Sequence, residues 1–363
     1  MSRDAKEIGR AQSHWSNNLD LMRLLLAAAV VLSHTYELID GNRSREPLTR
    51  VFHTISLGEF VVDAFFIVSG FVIAMSWDRQ PSVRRFMTNR ILRIYPGFAV
   101  AYLFSVIVVG AVGAVSASAY LAALSPVQVV RQIATLARPA HPPTFSDSHY
   151  PVVNGAMWTI HYEFLCYVGI AVAGALGLMK NRWPILAAWL LSIAVFVAFR
   201  SRHATVAGAV MGHGAEYIRF GMLYLSGVVA FKFEVQARRS RMALAVACLA
   251  LAAGLRSAVL AEATIATAGA YLLFWVGFAQ VKHDAFRGIP DVSYGLYLYG
   301  WPMEKLVIAS GLCRGAMSVF AVSLVGAILM GYLSYVLVER PALKMKRARP
   351  RVVPVPAVSV AEP

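Results

Sequence analysis

Arg23 and His34 lie inside the first long apolar stretch of the chain, Leu19 to Asp40, where an ionisable side chain is costly and rarely kept without a job. Read as a helix, the ~11 residues between them, at ~100° and ~1.5 Å each, return both side chains to within ~20° of one face, about 16 Å apart along the axis. The stretch therefore presents a cation near one membrane surface and an imidazole well inside the bilayer. A lone intramembrane histidine is often a satisfied core residue, but this one stands three turns from Arg23 and level with carboxylates, which favours a functional role. Kept neutral, it could take a proton from a hydroxyl or attack an acyl carbon itself, with a neighbouring carboxylate to orient the ring.

Counting ~1.5 Å per residue along each apolar segment places His34, Asp63 and Glu163 in one layer, about six residues from the same side of the bilayer. Glu37, Arg219 and the adjacent Glu304 and Lys305 fall in the same half. So many ionisable groups at similar depth imply a polar cavity, because isolated charges facing lipid are strongly disfavoured. Asp63 or Glu163 could equally be a strut paired with Arg219 or Lys305. On the opposite side Arg79, Arg84, Arg85, Arg90 and Arg93 crowd one loop, and a short helix ending at Pro96 would aim Arg90 and Arg93 the same way. That cluster could anchor to anionic lipid or, completed by Arg23, hold phosphate. Ser69 and Gly70 could be a small-residue helix contact. Gly70 shares a helix face with Asp63, so a substrate chain could also approach closely below the carboxylate.

The elements that must position these groups follow from composition. With 58% hydrophobic residues, 15% charged residues and a mean hydropathy of +0.60, the chain reads as an all-α, polytopic transmembrane helical bundle. About ten spans are expected: Leu19–Asp40, Leu57–Trp77, Ile94–Ser116, Met157–Met179, Trp183–Phe199, Ala215–Phe231, Met242–Leu255, Ala258–Ala279, Val292–Gly311 and Ala316–Val338. The net charge of +15 comes from Lys and Arg in short loops, chiefly those on the N-terminal side of the membrane, which predicts cytoplasmic termini and argues against nucleic acid as a partner. Residues 1–18 read as a cytoplasmic segment leading into a retained anchor, 19–341 as the transmembrane domain and 342–363 as a basic, disordered tail. Within the longest outer segment, Leu121 to Leu136 could form an interfacial or re-entrant helix. Cys166, Cys248 and Cys313 have neither disulfide nor metal-ligand spacing, and oligomeric state has no signature.

Six motifs in order resemble the acyltransferase-3 family of integral membrane O-acyltransferases. They are Asn18-Leu-Asp-Leu-Met-Arg23 through His34, Asp63-Ala-Phe-Phe-Ile-Val-Ser69-Gly70-Phe71, Arg90-Ile-Leu-Arg93-Ile-Tyr-Pro96, Trp158-Thr-Ile-His-Tyr-Glu163, the run Ser293 to Pro302 containing Tyr297 and Trp301, and Glu339-Arg-Pro341. The resemblance implies acyl-CoA as donor substrate, acetyl-CoA first, taken from the cytoplasm, and no permanently bound cofactor. It also implies a hydroxyl acceptor on the outer side of a bacterial inner membrane: a surface polysaccharide, lipopolysaccharide or lipid-linked glycan. His34 would be central to catalysis, with Glu163 and Asp63 in its layer. Arg23, Arg90 and Arg93, with Arg84, Arg85, Ser69 and Gly70, would serve the donor. Glu37, Arg219, Tyr297, Trp301, Glu304 and Lys305 are the expected acceptor or cavity residues. Thr159 stands where the family usually has Ser, and Gly300 where many members carry His. Two other readings are a transporter or flippase of a lipid-linked sugar, which the lack of repeat symmetry disfavours, and an acyltransferase acting on a small-molecule natural product.

Overall fold

The computed structural model describes residues 18–203, 213–279 and 291–345, so most of the expected N-terminal segment and tail lies outside the described residues. Its principal helices are α1 (Leu19–Asp40), α2 (Leu57–Arg79), α3 (Val83–Leu103), α4 (Pro126–Thr135), α5 (Ile160–Ala175), α6 (Arg182–His203), α7 (His213–Lys232), α8 (Arg241–Gly254), α9 (Ala270–Gly277), α10 (Ser293–Ser310) and α11 (Ala316–Ser334). There is no strand among the described residues.

Among the described residues, six continuous helical stretches are long and apolar enough to cross a membrane: Leu19–Asp40, Leu57–Arg79, Val83–Gly113, Ala156–Ala175, Arg182–Arg202 and Ala316–Lys344. The third and sixth run on through π-helical turns at Phe104–Val109 and Tyr335–Glu339, to 31 and 29 residues. The other expected spans are helical but shorter or more polar. Helix α8 has 14 residues, below the ~20 of a full crossing, and α10 carries Glu304 and Lys305 in its middle. The expected helix Leu121–Leu136 is two pieces, Ala117–Ala122 and α4, because Ser125 caps a fresh start with Pro126 in its first turn. Nor does a helix end at Pro96: α3 runs through it.

Local sequence sets the ends that matter for the site. Helix α1 stops where Gly41 turns left-handed at φ 70° and its N–H reaches the Glu37 carbonyl. Helix α2 opens with a capping box between Ser56 and Glu59. Helices α1, α2, α7 and α10 form the interior, and their contacts rely on glycine. A Cβ on Gly70 would stand 2.0 Å from the Tyr224 carbonyl oxygen, and one on Gly227 1.9 Å from that of Ile67, so α2 and α7 touch backbone to backbone. Around this core, exposed Leu190 and Leu191 on α6 and Val325 and Leu329 on α11 give the apolar outer face that lipid solvates.

Candidate active site

One end of the bundle holds a cavity of about 120 Å³ bordered by Arg23, Arg90, Arg93, Ser69, Glu163 and Tyr297. Arg23 Nη1 donates to Asp291 Oδ2 at 2.6 Å and Arg93 Nη2 to the same oxygen at 3.0 Å, while Arg93 Nη1 donates to Glu339 Oε2 at 3.1 Å. Asp291 thus ties α1 to α3 just before α10 begins. Burial opposes its ionisation, but Arg23 and Arg93 outweigh that and hold its carboxyl below the usual range. Arg90 makes no ion pair among the described residues. Its Nε is buried without a hydrogen-bond partner, and its guanidinium lies 5.8 Å from the Phe86 ring and 5.9 Å from the Tyr167 ring. Glu163 Oε1 accepts from Ser69 Oγ at 2.9 Å and from the Tyr167 hydroxyl at 2.5 Å.

Toward the other end of α1, His34 Nδ1 stands 3.1 Å from Glu37 Oε2. Arg43 Nη2 donates to both oxygens of that carboxylate at 3.1 Å, and Arg43 Nη1 donates to Ser56 Oγ at 3.1 Å. A carboxylate only accepts, so in the neutral ring this contact puts the proton on Nδ1 and the lone pair on Nε2. The ring meets the edge of Trp301 at 4.8 Å between centroids, and 13% of its side-chain surface is exposed. Trp301 is itself fixed by Nε1, which donates to the Val152 carbonyl at 3.1 Å. Next to His34, Thr35 Oγ1 donates to the buried Glu304, whose second carboxylate oxygen has no partner. Lys305 Nζ donates to Ser148 Oγ and the Tyr150 carbonyl, each at 2.7 Å.

The expected single layer of His34, Asp63 and Glu163 is divided in the structure. Asp63, fully buried, pairs with Arg219 Nη2 at 2.8 Å, the strut arrangement left open by the sequence. Glu163 bonds Ser69, which lies six residues, about 9 Å, further along α2 than Asp63 and toward the arginines. Equal depths assumed that every span starts level, and the bond between Glu163 and Ser69 shows that α5 and α2 do not. Arg84 and Arg85 are exposed at the start of α3 and do not border the cavity, and Gly70 meets the α7 backbone instead. Tyr297 borders the cavity, its hydroxyl hydrogen-bonded with Thr159 Oγ1 and the Ala156 carbonyl, each at 2.6 Å. One turn on, Trp301 touches His34, so the cavity ends just short of the imidazole.

Arg43, Asp291, Glu339 and Tyr167 were not singled out for the site by residue type or spacing. An intramembrane carboxylate at Glu339 is itself a signal. Arg43 and Asp291 sit in connections, where no periodicity marks them.

An acyltransferase domain family, acyltransferase-3, matches residues 16–338. The chain is 27% identical to an O-acetyl transferase of Shigella phage Sf6, over 90% of this chain and 96% of that protein. It is 26% identical to the exopolysaccharide production protein ExoZ of Rhizobium meliloti (strain 1021), over 82% and 93% of the two chains. With nodulation protein 10 of Rhizobium leguminosarum bv. viciae it shares 24% identity over 93% and 97%. No solved structure matches the chain.

Proposed function

We propose, from the premise that the chain belongs to the acyltransferase-3 family and is a membrane O-acyltransferase, that it moves an acetyl group from cytoplasmic acetyl-CoA to a sugar hydroxyl of a surface polysaccharide or its lipid-linked precursor. The membrane is the inner membrane of a bacterium, with both termini cytoplasmic, as the distribution of Lys and Arg favours. The carrying observation is His34 with Nδ1 engaged by Glu37, on the same helix that sends Arg23 into an arginine-bordered cavity about 16 Å away.

The cavity is small against the ~300–1,000 Å³ of a whole small-molecule site, so it suits the thioester arm and leaves the nucleotide outside it. Arg90, the guanidinium without a carboxylate, is the first contact for a donor phosphate. Arg23 and Arg93 are held in place by Asp291 and Glu339. In transfer, His34 Nε2 takes the hydroxyl proton as the oxygen attacks the thioester carbon, the C–S bond breaks, and the imidazolium returns the proton to the departing thiolate. Glu37, paired with Arg43, stabilises the imidazolium and fixes the ring. The alternative order puts the acyl group on Nε2 first. Passage of the thioester from the cavity to the imidazole requires Tyr297 or Trp301 to give way.

The test uses purified protein, labelled acetyl-CoA and de-O-acetylated surface polysaccharide from the producing cells. Acceptor-dependent label transfer that falls by ~10²–10⁴ in His34→Ala, with folding retained, is the expected result. Turnover unaffected by that substitution contradicts the mechanism, and transfer only to small hydrophobic alcohols redirects the acceptor to a natural product. Rapid quench separates the two orders, since a protein-bound acetyl group appears only in the covalent one.

A further inference from the structure

A second cavity, of about 550 Å³, opens at the Glu37 end of the bundle and plays no part in the transfer described above. Its position is informative. Leu38, which borders it, lies one turn beyond His34 on the same side of α1, about 6 Å along the axis. Its other walls come from Val112, Gly113 and Val115 at the end of the third span, the end of α10, the turn into α11 and its start, and the segment 145–149. That segment is anchored by the helix that touches the imidazole. Lys305 of α10 donates to Ser148 and to the Tyr150 carbonyl, Trp301 donates to the Val152 carbonyl, and the same Trp301 ring packs on His34.

We propose that this cavity is the acceptor subsite, and that it takes the saccharide units adjoining the one whose hydroxyl is acylated. The inference rests on the function proposed above and deepens it. A pyranose has hydroxyl edges that need both donors and acceptors, and C–H faces that pack on apolar surface. The cavity offers both kinds of surface. Leu38, Ile308 and Val319 line its apolar side, while Asp147 supplies an acceptor and Arg314 donors on its exposed rim. Its volume falls in the ~300–1,000 Å³ of small-ligand sites, room for more than the single reacting group. A lipid tail has no use for the charged rim, and a small anion none for the apolar wall.

Three variants and two acceptors test this. Ala309→Trp fills the cavity from an exposed position on α10, while Asp147→Asn and Arg314→Gln alter the exposed rim without touching the packed interior. Acetyl-CoA-dependent transfer is measured to oligosaccharide and monosaccharide fragments of de-O-acetylated surface polysaccharide from the producing cells. The expected result is a KM for oligosaccharide raised about tenfold or more, equivalent to one lost polar contact, with the KM for acetyl-CoA and the rate on monosaccharide within about twofold of wild type. An unchanged oligosaccharide KM in all three variants overturns the subsite. So does a phospholipid that native mass spectrometry finds in the wild type and not in Ala309→Trp, if the oligosaccharide KM stays put. Should the wild type acetylate no saccharide, the proposed function fails first and takes the subsite with it, whereas transfer that needs His34 but ignores the variants leaves the function standing and removes only the subsite.

Discussion

His34 owes its usefulness to two neighbours. Glu37, one turn away, fixes the ring through Nδ1, and Arg43 grips both oxygens of Glu37 so that its carboxylate stays charged and oriented. Losing a charge-assisted hydrogen bond costs ~1.5–3 kcal/mol, so Glu37→Gln should lower kcat about ten- to hundredfold. Steady-state kinetics with acetyl-CoA check it, and the donor KM should not move. Wild-type kcat in that variant would mean the ring needs no carboxylate. The link between Arg23 and His34 was legible in the sequence because helical periodicity alone fixes two residues on one apolar segment. Arg43 was not, since its reach to Glu37 depends on how residues 41–46 turn after Gly41 ends the helix. Asp63 shows the same limit from the other direction. Its type and depth marked it, but which cation it meets depends on the packing of α2 on α7.

At the scale of elements, that α2–α7 contact is the seam on which the interior depends. Gly70→Ala would drive a methyl into the Tyr224 carbonyl, and overpacking of this kind costs ~1–3 kcal/mol. A lower unfolding temperature in detergent, with donor binding retained by the folded fraction, is expected. The Asp63–Arg219 pair pins the same seam, both side chains being 5% exposed or less. Arg219→Met leaves the Asp63 charge buried alone and should destabilise by ~3–5 kcal/mol, while Asp63→Asn with Arg219→Met should recover much of that. Equal stability of the single and double variants in chemical denaturation would contradict the strut. Asp291 ties α1 to α3 in a pH-dependent way. Its folded pKa lies below its unfolded value, so its stabilisation is complete above about 3.9 and is lost as pH falls through the lower, folded value. Asp291→Asn should therefore unfold at a lower temperature than wild type at neutral pH, the difference shrinking below about pH 4. A gap that stays constant with pH would show that the charge of Asp291 is not what counts. Most helices were readable from pattern, whereas the fresh start that Ser125 caps and the run of α3 through Pro96 were not. The relative depths were not, because the level at which α5 meets α2 is set by packing between spans, and the π-helical turns that follow α3 and α11 extend those spans past their regular helices.

For the whole molecule, the all-helical membrane class followed from composition, because nothing but helices or closed barrels satisfies the backbone within lipid. Which end faces the cytoplasm is a matter of charge distribution. With the arginine end inside, a cysteine placed by Arg84→Cys should react with an impermeant thiol reagent only after cells are opened, and one placed by Asp147→Cys should react in intact cells. Both side chains are exposed, so accessibility and not burial decides. The reversed labelling pattern would invert the proposed route of the acyl group. The most direct test of the central claim, that one imidazole receives an acyl group from the arginine side and a hydroxyl from the other, uses proteoliposomes with labelled acetyl-CoA sealed on the arginine side and de-O-acetylated polysaccharide outside. The mechanism predicts labelled polysaccharide outside the vesicles, absent with His34→Ala. Label reaching the polysaccharide at an undiminished rate with that variant, or only when donor and acceptor share one side, would contradict it.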